Sequence, residues 1–277
     1  LLNHPCNVNK AVQLFATREE VRRVNEREFA KLKTEKRIFK CLDGILLKDH
    51  HQQQLQWKAQ RDPDGSLSAL KEHRFERLLE LKKGTQVILL VNLDLSLGLI
   101  NGSQGVLVGW EDMVESTLPI ASDRDKNGTT NQPLLFGDHA YIKEDSIKQF
   151  VKVTSVKSWP VIQFDNGVTR AIIAECSISE LGDASPYSII CRTQIPILPA
   201  WAMSIHKSQG MTLSKVTVDL SRNFEEGQVY VALSRAKSLQ GLKVLSLGQQ
   251  QSGPNYEVMS FLKEKFGKTI GHHLASV

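Results

Sequence analysis

Long apolar runs are missing from this sequence. Nothing in it approaches the roughly 18 continuous apolar residues that a membrane-spanning helix needs, so no membrane association is expected. The start, Leu1-Leu-Asn-His-Pro-Cys6, has no initiator methionine, no basic region and no apolar core of a signal peptide, and reads as part of a longer polypeptide. Cysteine is scarce. Cys6, Cys41, Cys176 and Cys191 form no Cys-x-x-Cys pair and have no histidine at zinc-finger spacing, which points to reduced, mostly buried intracellular thiols. His50-His51 and His272-His273 stand in polar surroundings and are not expected to hold a metal. A phosphate cradle is also lacking: Gly-x-x-x-x-Gly-Lys-Ser/Thr does not occur. Gly267-Lys268-Thr269 imitates its tail, but Leu262 stands where the first glycine belongs, within a helical pattern. There is no Asp-Glu dipeptide to hold magnesium. The chain alone is therefore expected not to hydrolyse a nucleoside triphosphate.

What remains is ordinary in bulk. The 277 residues suffice for two domains, or for one with a large insertion. Apolar content of 41% and charge of 23% fit a soluble globular chain. A net charge of +5 and a pI near 9.0 lean towards an anionic partner, a balance that many enzymes share.

Lys10 to Ala16 reads as a buried strand, and Thr17-Arg-Glu-Glu20 as a capping box opening a helix with Val21, Val24, Phe29 and Leu32 on its apolar stripe. Lys33 to Ser66 reads as a solvated insertion, and Leu67 to Leu79 as a second helix. After Gly84 the period changes. Gln86 to Val91 and Gly105 to Trp110 are strands, with a turn signal at Asn101-Gly102. Val161 to Phe164 and Val168 to Ala174 flank a second turn at Asp165-Asn-Gly167, and Tyr187 to Cys191 is a further strand. Ser116 to Gln132 is expected to be a mobile loop. From Leu198 the α/β pattern returns, with strands at Lys215 to Leu220 and Leu242 to Leu247, a helix at Gly227 to Leu233, and a closing helix at Asn255 to Phe266. That last helix has Val258, Phe261, Leu262 and Phe266 facing the core.

Two stretches carry chemistry. Ile197 to Leu213 runs apolar through Trp201 and Met203, then presents Ser204, His206, Lys207, Ser208 and Gln209 before Gly210. Ala200 to Lys207 reads as a short helix. Hydroxyls, an imidazole, an ammonium and an amide before a glycine suit contact with phosphates. By default His206 and Lys207 are a satisfied histidine and a solvated lysine. Further on, Gly227-Gln-Val-Tyr-Val-Ala-Leu-Ser-Arg-Ala236 ends an apolar helix on Arg235. That arginine is either an exposed helix-end cation or a finger offered to a γ-phosphate, for which a permanently charged, rigid donor fork is suited.

Together these segments resemble a known family. Trp201-Ala-Met-Ser-Ile-His-Lys-Ser-Gln-Gly-Met-Thr212 is similar to the fifth motif of the petite-integration-frequency (PIF) DNA helicases, a RecD-like branch of superfamily one. Gly227 to Ala236, then Ser238-Leu-Gln-Gly-Leu242, resembles their sixth. Leu14 to Asn25 resembles the fourth, and Asn92 to Val106 the segment leading into their inserted barrel, all in family order.

The resemblance implies an α/β chain: a RecA-like second motor domain, of the P-loop-NTPase type, with an inserted small Src-homology-three-like β-barrel and no first motor domain. Boundaries follow at 1–83 and 196–277 for the motor and 84–195 for the barrel. It implies an ATP-dependent helicase moving 5′ to 3′ on single-stranded DNA and unwinding duplex in repair, recombination and telomere maintenance. Its partners would be single-stranded DNA, DNA junctions and the first RecA-like domain, which would hold most of the ATP and Mg²⁺. Arg235 would be catalytic. Gln209, Gly210, Arg235 and Arg18 would meet the nucleotide, and Ser204, His206 and Lys207 the DNA strand. Nucleus or mitochondrion is the implied location. The rival reading is a non-enzymatic remnant that binds single-stranded DNA or protein. An unrelated α/β enzyme is disfavoured because no nucleophile, base and orienting group stand out together.

Overall fold

The computed structural model describes residues 11–125, 128, 130–183, 185–220, 227–247 and 260, 261 and 264. They fall into two compact units, one from the described residues of Lys10–Asn25 with those of Trp201–Val277, the other from Glu26–Ala200. These units do not coincide with the boundaries drawn from the sequence, since 26–83 groups with the inserted region.

The first unit is a four-stranded parallel sheet. β1 (Val12–Phe15) lies between β14 (Ala202–Ser204) and β15 (Val216–Leu220), and β16 (Leu242–Leu247) completes the order β14-β1-β15-β16. Val12, Leu14, Val216 and Val218 are fully buried, the apolar strand interior that a parallel sheet requires. Thr17 opens α1 (Arg18–Ala30) as the capping box predicts. Its hydroxyl accepts the Glu20 N–H at 3.4 Å and donates to the Glu20 carboxylate at 2.7 Å. The expected helix over Ala200 to Lys207 is instead β14 followed by a 3₁₀ turn at His206–Ser208. Pairing of Leu14 with Met203 along β1 overrides the local helical pattern. α4 (Gln228–Leu233) forms as expected, entered through Gly227 at φ +83°. Of the closing helix only Ser260, Phe261 and Glu264 are described. Phe261, expected in the core, is 54% exposed, while Val258, Leu262 and Phe266 lie outside the described residues.

The second unit is mostly antiparallel. β5 (Gln86–Leu89), β6 (Gln104–Asp112), β9 (Ser158–Phe164), β10 (Thr169–Ala171) and β13 (Ile197–Pro199) form a sheet in the order β10-β9-β6-β5-β13, where the small barrel was expected. Both predicted turns are present. Asn101-Gly102 turns with Gly102 at φ +97°, and Gly167 at φ +89° closes the β9–β10 hairpin.

The expected solvated insertion instead contributes β2 (Arg37–Lys40), β3 (Leu42–Leu46) and a short α2 (Gln52–Leu55). β3 pairs with β12 (Ser188–Gln194), which also pairs with β11 (Glu175–Leu181). The expected helix over Leu67 to Leu79 is a 3₁₀ turn at Ser68–Leu70 and then β4 (Leu78–Leu81), paired with β2. Its apolar spacing imitates a helix, but Leu79 is buried opposite Phe39 of β2, and Phe75 is buried in the segment before β4. The expected mobile loop carries β7 (Ile120–Ala121), which pairs in parallel with β8 (Leu134–Leu135). Behind it α3 (Ala140–Val153), absent from the sequence reading, buries Ile147, Phe150 and Glu144. The Glu144 carboxylate is satisfied by Lys148 at 2.7 Å, Arg124 at 3.0 Å and the Ala121 N–H at 2.8 Å. Cys41, Cys176 and Cys191 are buried free thiols, and burial beside Asp43 pushes Cys41 up to about 12.

Candidate nucleotide and nucleic-acid site

At the carboxyl end of β14 the chain leaves the sheet beside β1, the Ile205 N–H donating to the Phe15 carbonyl at 3.0 Å. The carboxyl ends of parallel strands are where open α/β sheets place ligands. Ser204 is buried, at 6% exposure, and its hydroxyl accepts the Lys207 N–H at 3.3 Å. Ser208 is fully buried and donates its hydroxyl to the Ile205 carbonyl at 2.7 Å. These two serines fold the turn, and His206 and Lys207 project from it, both exposed. Of the three residues expected on DNA, the structure thus presents two. Ser204 shapes the turn from inside.

Gln209 and Gly210 follow, both exposed, with Gly210 at φ +75°, a conformation that side chains with a Cβ resist. The next residue meets the second motif. The half-buried Arg235 donates from Nη1 to the Met211 carbonyl at 3.3 Å, from Nε to the Val231 carbonyl at 2.9 Å and from Nη2 to the Ser234 hydroxyl at 2.9 Å. The backbones join as well, the Leu213 N–H donating to the Arg235 carbonyl at 2.8 Å and the Lys237 N–H to the Leu213 carbonyl at 2.9 Å. Arg235 and Gly210, 25 positions apart in sequence, are therefore neighbours, and the guanidinium is oriented rather than loose. Arg18 is elsewhere. It is exposed at the head of α1, beyond the carboxyl end of β1, on the side of Ser204.

One residue given no role of its own in the sequence analysis holds the opposite, amino end of β14. Asn25 on α1 donates from Nδ2 to the Ala202 carbonyl at 2.9 Å, and its Oδ1 accepts the N–H groups of Trp201 at 3.1 Å and Ala202 at 2.9 Å. β14 is an edge strand, so its outward backbone groups need a partner, and this amide supplies it. An Asn on a helix carries no signal of such a role; only the fold reveals it.

The arrangement suits anions. An oriented guanidinium beside an exposed glycine fits a phosphate, and an exposed imidazole and ammonium fit a phosphodiester strand. Among the described residues no group of three or more His, Cys, Asp and Glu side chains gathers to hold a metal.

Comparison with known proteins bears on the same segments. A family model described as "DNA helicase Pif1, 2B domain" matches residues 68–110, and one described as "Helicase" matches residues 147–247. The chain is 31% identical to the ATP-dependent DNA helicase PIF1 of Emericella nidulans, covering 92% of this chain and 33% of that protein. It is 31% identical to that of Xenopus laevis, covering 91% and 30%. The crystal structure of Pif1 helicase from Candida albicans superposes with a TM-score of 0.56 at 28% identity, over 92% of this chain and 50% of that one. This chain therefore spans about a third of the length of the curated relatives it matches.

Proposed function

Since the chain belongs to the Pif1 family of DNA helicases, we propose that it is the second motor portion of an ATP-dependent helicase that moves 5′ to 3′ on single-stranded DNA. The carrying observation is the bond from Arg235 to the Met211 carbonyl, which ties the sixth-motif segment to the fifth beside Gly210. In this reading a first motor domain holds most of the nucleotide and its magnesium, and bound ATP supplies the phosphoryl group and the driving free energy. Arg235 contributes a fixed cation to charge developing on that group, while Gln209 and Gly210 let backbone approach closely. His206 and Lys207 hold the DNA phosphates four or fewer positions upstream of Gly210 on one continuous turn, so a shift of the turn on nucleotide binding moves the strand grip. Unwinding of duplex in repair, recombination and telomere maintenance is the proposed use. This chain by itself is proposed to be inactive in ATP turnover.

The test is Arg235→Ala in a protein carrying both motor domains. ATP turnover should fall by about 10³-fold or more, the scale of an arginine finger, while single-strand affinity stays within about twofold. Unchanged turnover removes Arg235 from catalysis. The absence of a P-loop favours a second reading, a DNA-binding remnant without a motor. A natural full-length protein with no turnover and intact single-strand binding would select it.

A further inference from the structure

A helix leaves its last carbonyls without intrahelical partners, and in α4 one of these belongs to Val231. Two side chains from the residues that follow answer it. The Ser234 hydroxyl donates to the Val231 carbonyl at 3.1 Å, and Arg235 Nε donates to the same oxygen at 2.9 Å. Ser234 Oγ in turn accepts Arg235 Nη2 at 2.9 Å. The Val231 and Ser234 oxygens therefore stand 3.1 Å apart as a pair of acceptors, and the guanidinium lies against both.

A guanidinium is planar, and its N–H bonds point in fixed directions. Nε–H and one N–H of Nη2 emerge side by side along one edge, and that edge is the one turned to the acceptor pair. Nη1 is held to the Met211 carbonyl at 3.3 Å, next to Gly210. The second N–H of Nη2 is directed along the outer edge that it shares with Nη1. Turning the group to offer a different edge breaks the bonds to Val231 and Ser234 together, so its orientation is fixed at two points.

We propose that Ser234 is a positioning residue for phosphoryl transfer: with the Val231 carbonyl it grips the inner edge of the Arg235 guanidinium and leaves the outer edge for phosphate oxygens. This rests on the reading of Arg235 as the cation offered to the γ-phosphate. Val231 contributes backbone alone, so the side-chain part of the grip is the Ser234 hydroxyl. Ser234 is exposed, and the bond from its backbone N–H to the Tyr230 carbonyl at 2.9 Å does not depend on that hydroxyl. A cap on α4 would matter to stability. A group that aims a cation matters to rate, because misplacement by about 1 Å can cost about 100-fold.

The test measures ATP turnover in a protein carrying both motor domains, for Ser234→Ala, Ser234→Thr, Arg235→Ala and the Ser234→Ala/Arg235→Ala double variant. Ser234→Ala should lower kcat about tenfold, while KM for ATP and oligothymidylate affinity stay within about twofold. Ser234→Thr, which returns the hydroxyl, should recover to within about threefold of the unaltered rate. With Arg235 already replaced by alanine, removing the hydroxyl should cost nothing further, since Ser234 acts only through the guanidinium. An unaltered kcat in Ser234→Ala overturns the proposal, as does a loss equally large with and without Arg235. A threonine variant as slow as the alanine one overturns it too. Unchanged turnover in Arg235→Ala is a different result, for it overturns the catalytic role of Arg235 whatever Ser234 does.

Discussion

Asp43 and Arg192 show what one residue can hold. The two are 149 positions apart and almost without exposure, and they pair in fork geometry, Nε to Oδ1 at 2.8 Å and Nη2 to Oδ2 at 2.7 Å. Arg192 also donates to the Phe75 carbonyl at 3.0 Å, and Asp43 accepts the Leu67 N–H at 2.8 Å. Breaking such a pair strands a buried charge, so Asp43→Ala should lower unfolding free energy by about 3–5 kcal/mol in a urea melt. Converting both to apolar residues should cost far less. The same region holds His73, whose pKa is lowered from 6.5 to about 4 by burial, then by the charges of Arg192 and Arg74. The folded state thus releases the proton that the unfolded state still binds between those values. Stability from this residue is intact above about 6.5 and lost as pH falls towards 4. His73→Gln should flatten that part of the stability profile, measured by melts at pH 4, 5, 6 and 7. At this scale the sequence singles out Arg235, His206, Lys207 and Gly210 as candidates, since they sit inside short local motifs. It could not find Asp43, Arg192 or His73, because their roles exist only through partners distant in the chain.

Element by element, legibility depended on how much of each pattern is local. Thr17 and Glu20 announce α1 because a capping box is a four-residue affair, and Asp165-Asn-Gly167 announces a hairpin for the same reason. Leu67 to Leu79 and Ala200 to Lys207 misled because short apolar stretches fit either period, and pairing with β2 or β1 drew Leu78–Leu81 and Ala202–Ser204 into strands beside short 3₁₀ turns. α3 escaped notice since Glu144 sits on its buried face, a charge that periodicity reads as solvent. Asn25 stands at the junction of two elements, α1 and β14. Asn25→Ala leaves the Trp201 N–H and both polar groups of Ala202 without their partner, a loss of about 1–3 kcal/mol in chemical denaturation. Asn25→Asp keeps the acceptor for both N–H groups but turns a carboxylate oxygen on the Ala202 carbonyl. It should fall between wild type and Ala, and a melt in which Asp exceeds Ala in cost would show the Nδ2 bond to be the dominant one.

For the whole molecule, a formal charge of +5 sets an expectation about DNA that no motif can. Contacts with phosphates release condensed counterions, so log K for a single strand should fall with log[salt] at about −0.7 per phosphate neutralised. Lys207 is exposed in a turn that the Ser204 and Ser208 hydroxyls brace through hydrogen bonds to its backbone. Lys207→Ala should therefore keep the fold, weaken oligothymidylate binding evenly across sequences, and reduce the salt slope by about 0.7. A change far along the sheet of the other unit, such as Asp112→Asn on β6, serves as the control variant in the same titrations. Titrations at three salt concentrations separate the possibilities. If the slope is the same in wild type and Lys207→Ala, the turn after β14 does not grip the strand, and the basic charge that binds DNA lies elsewhere on the molecule.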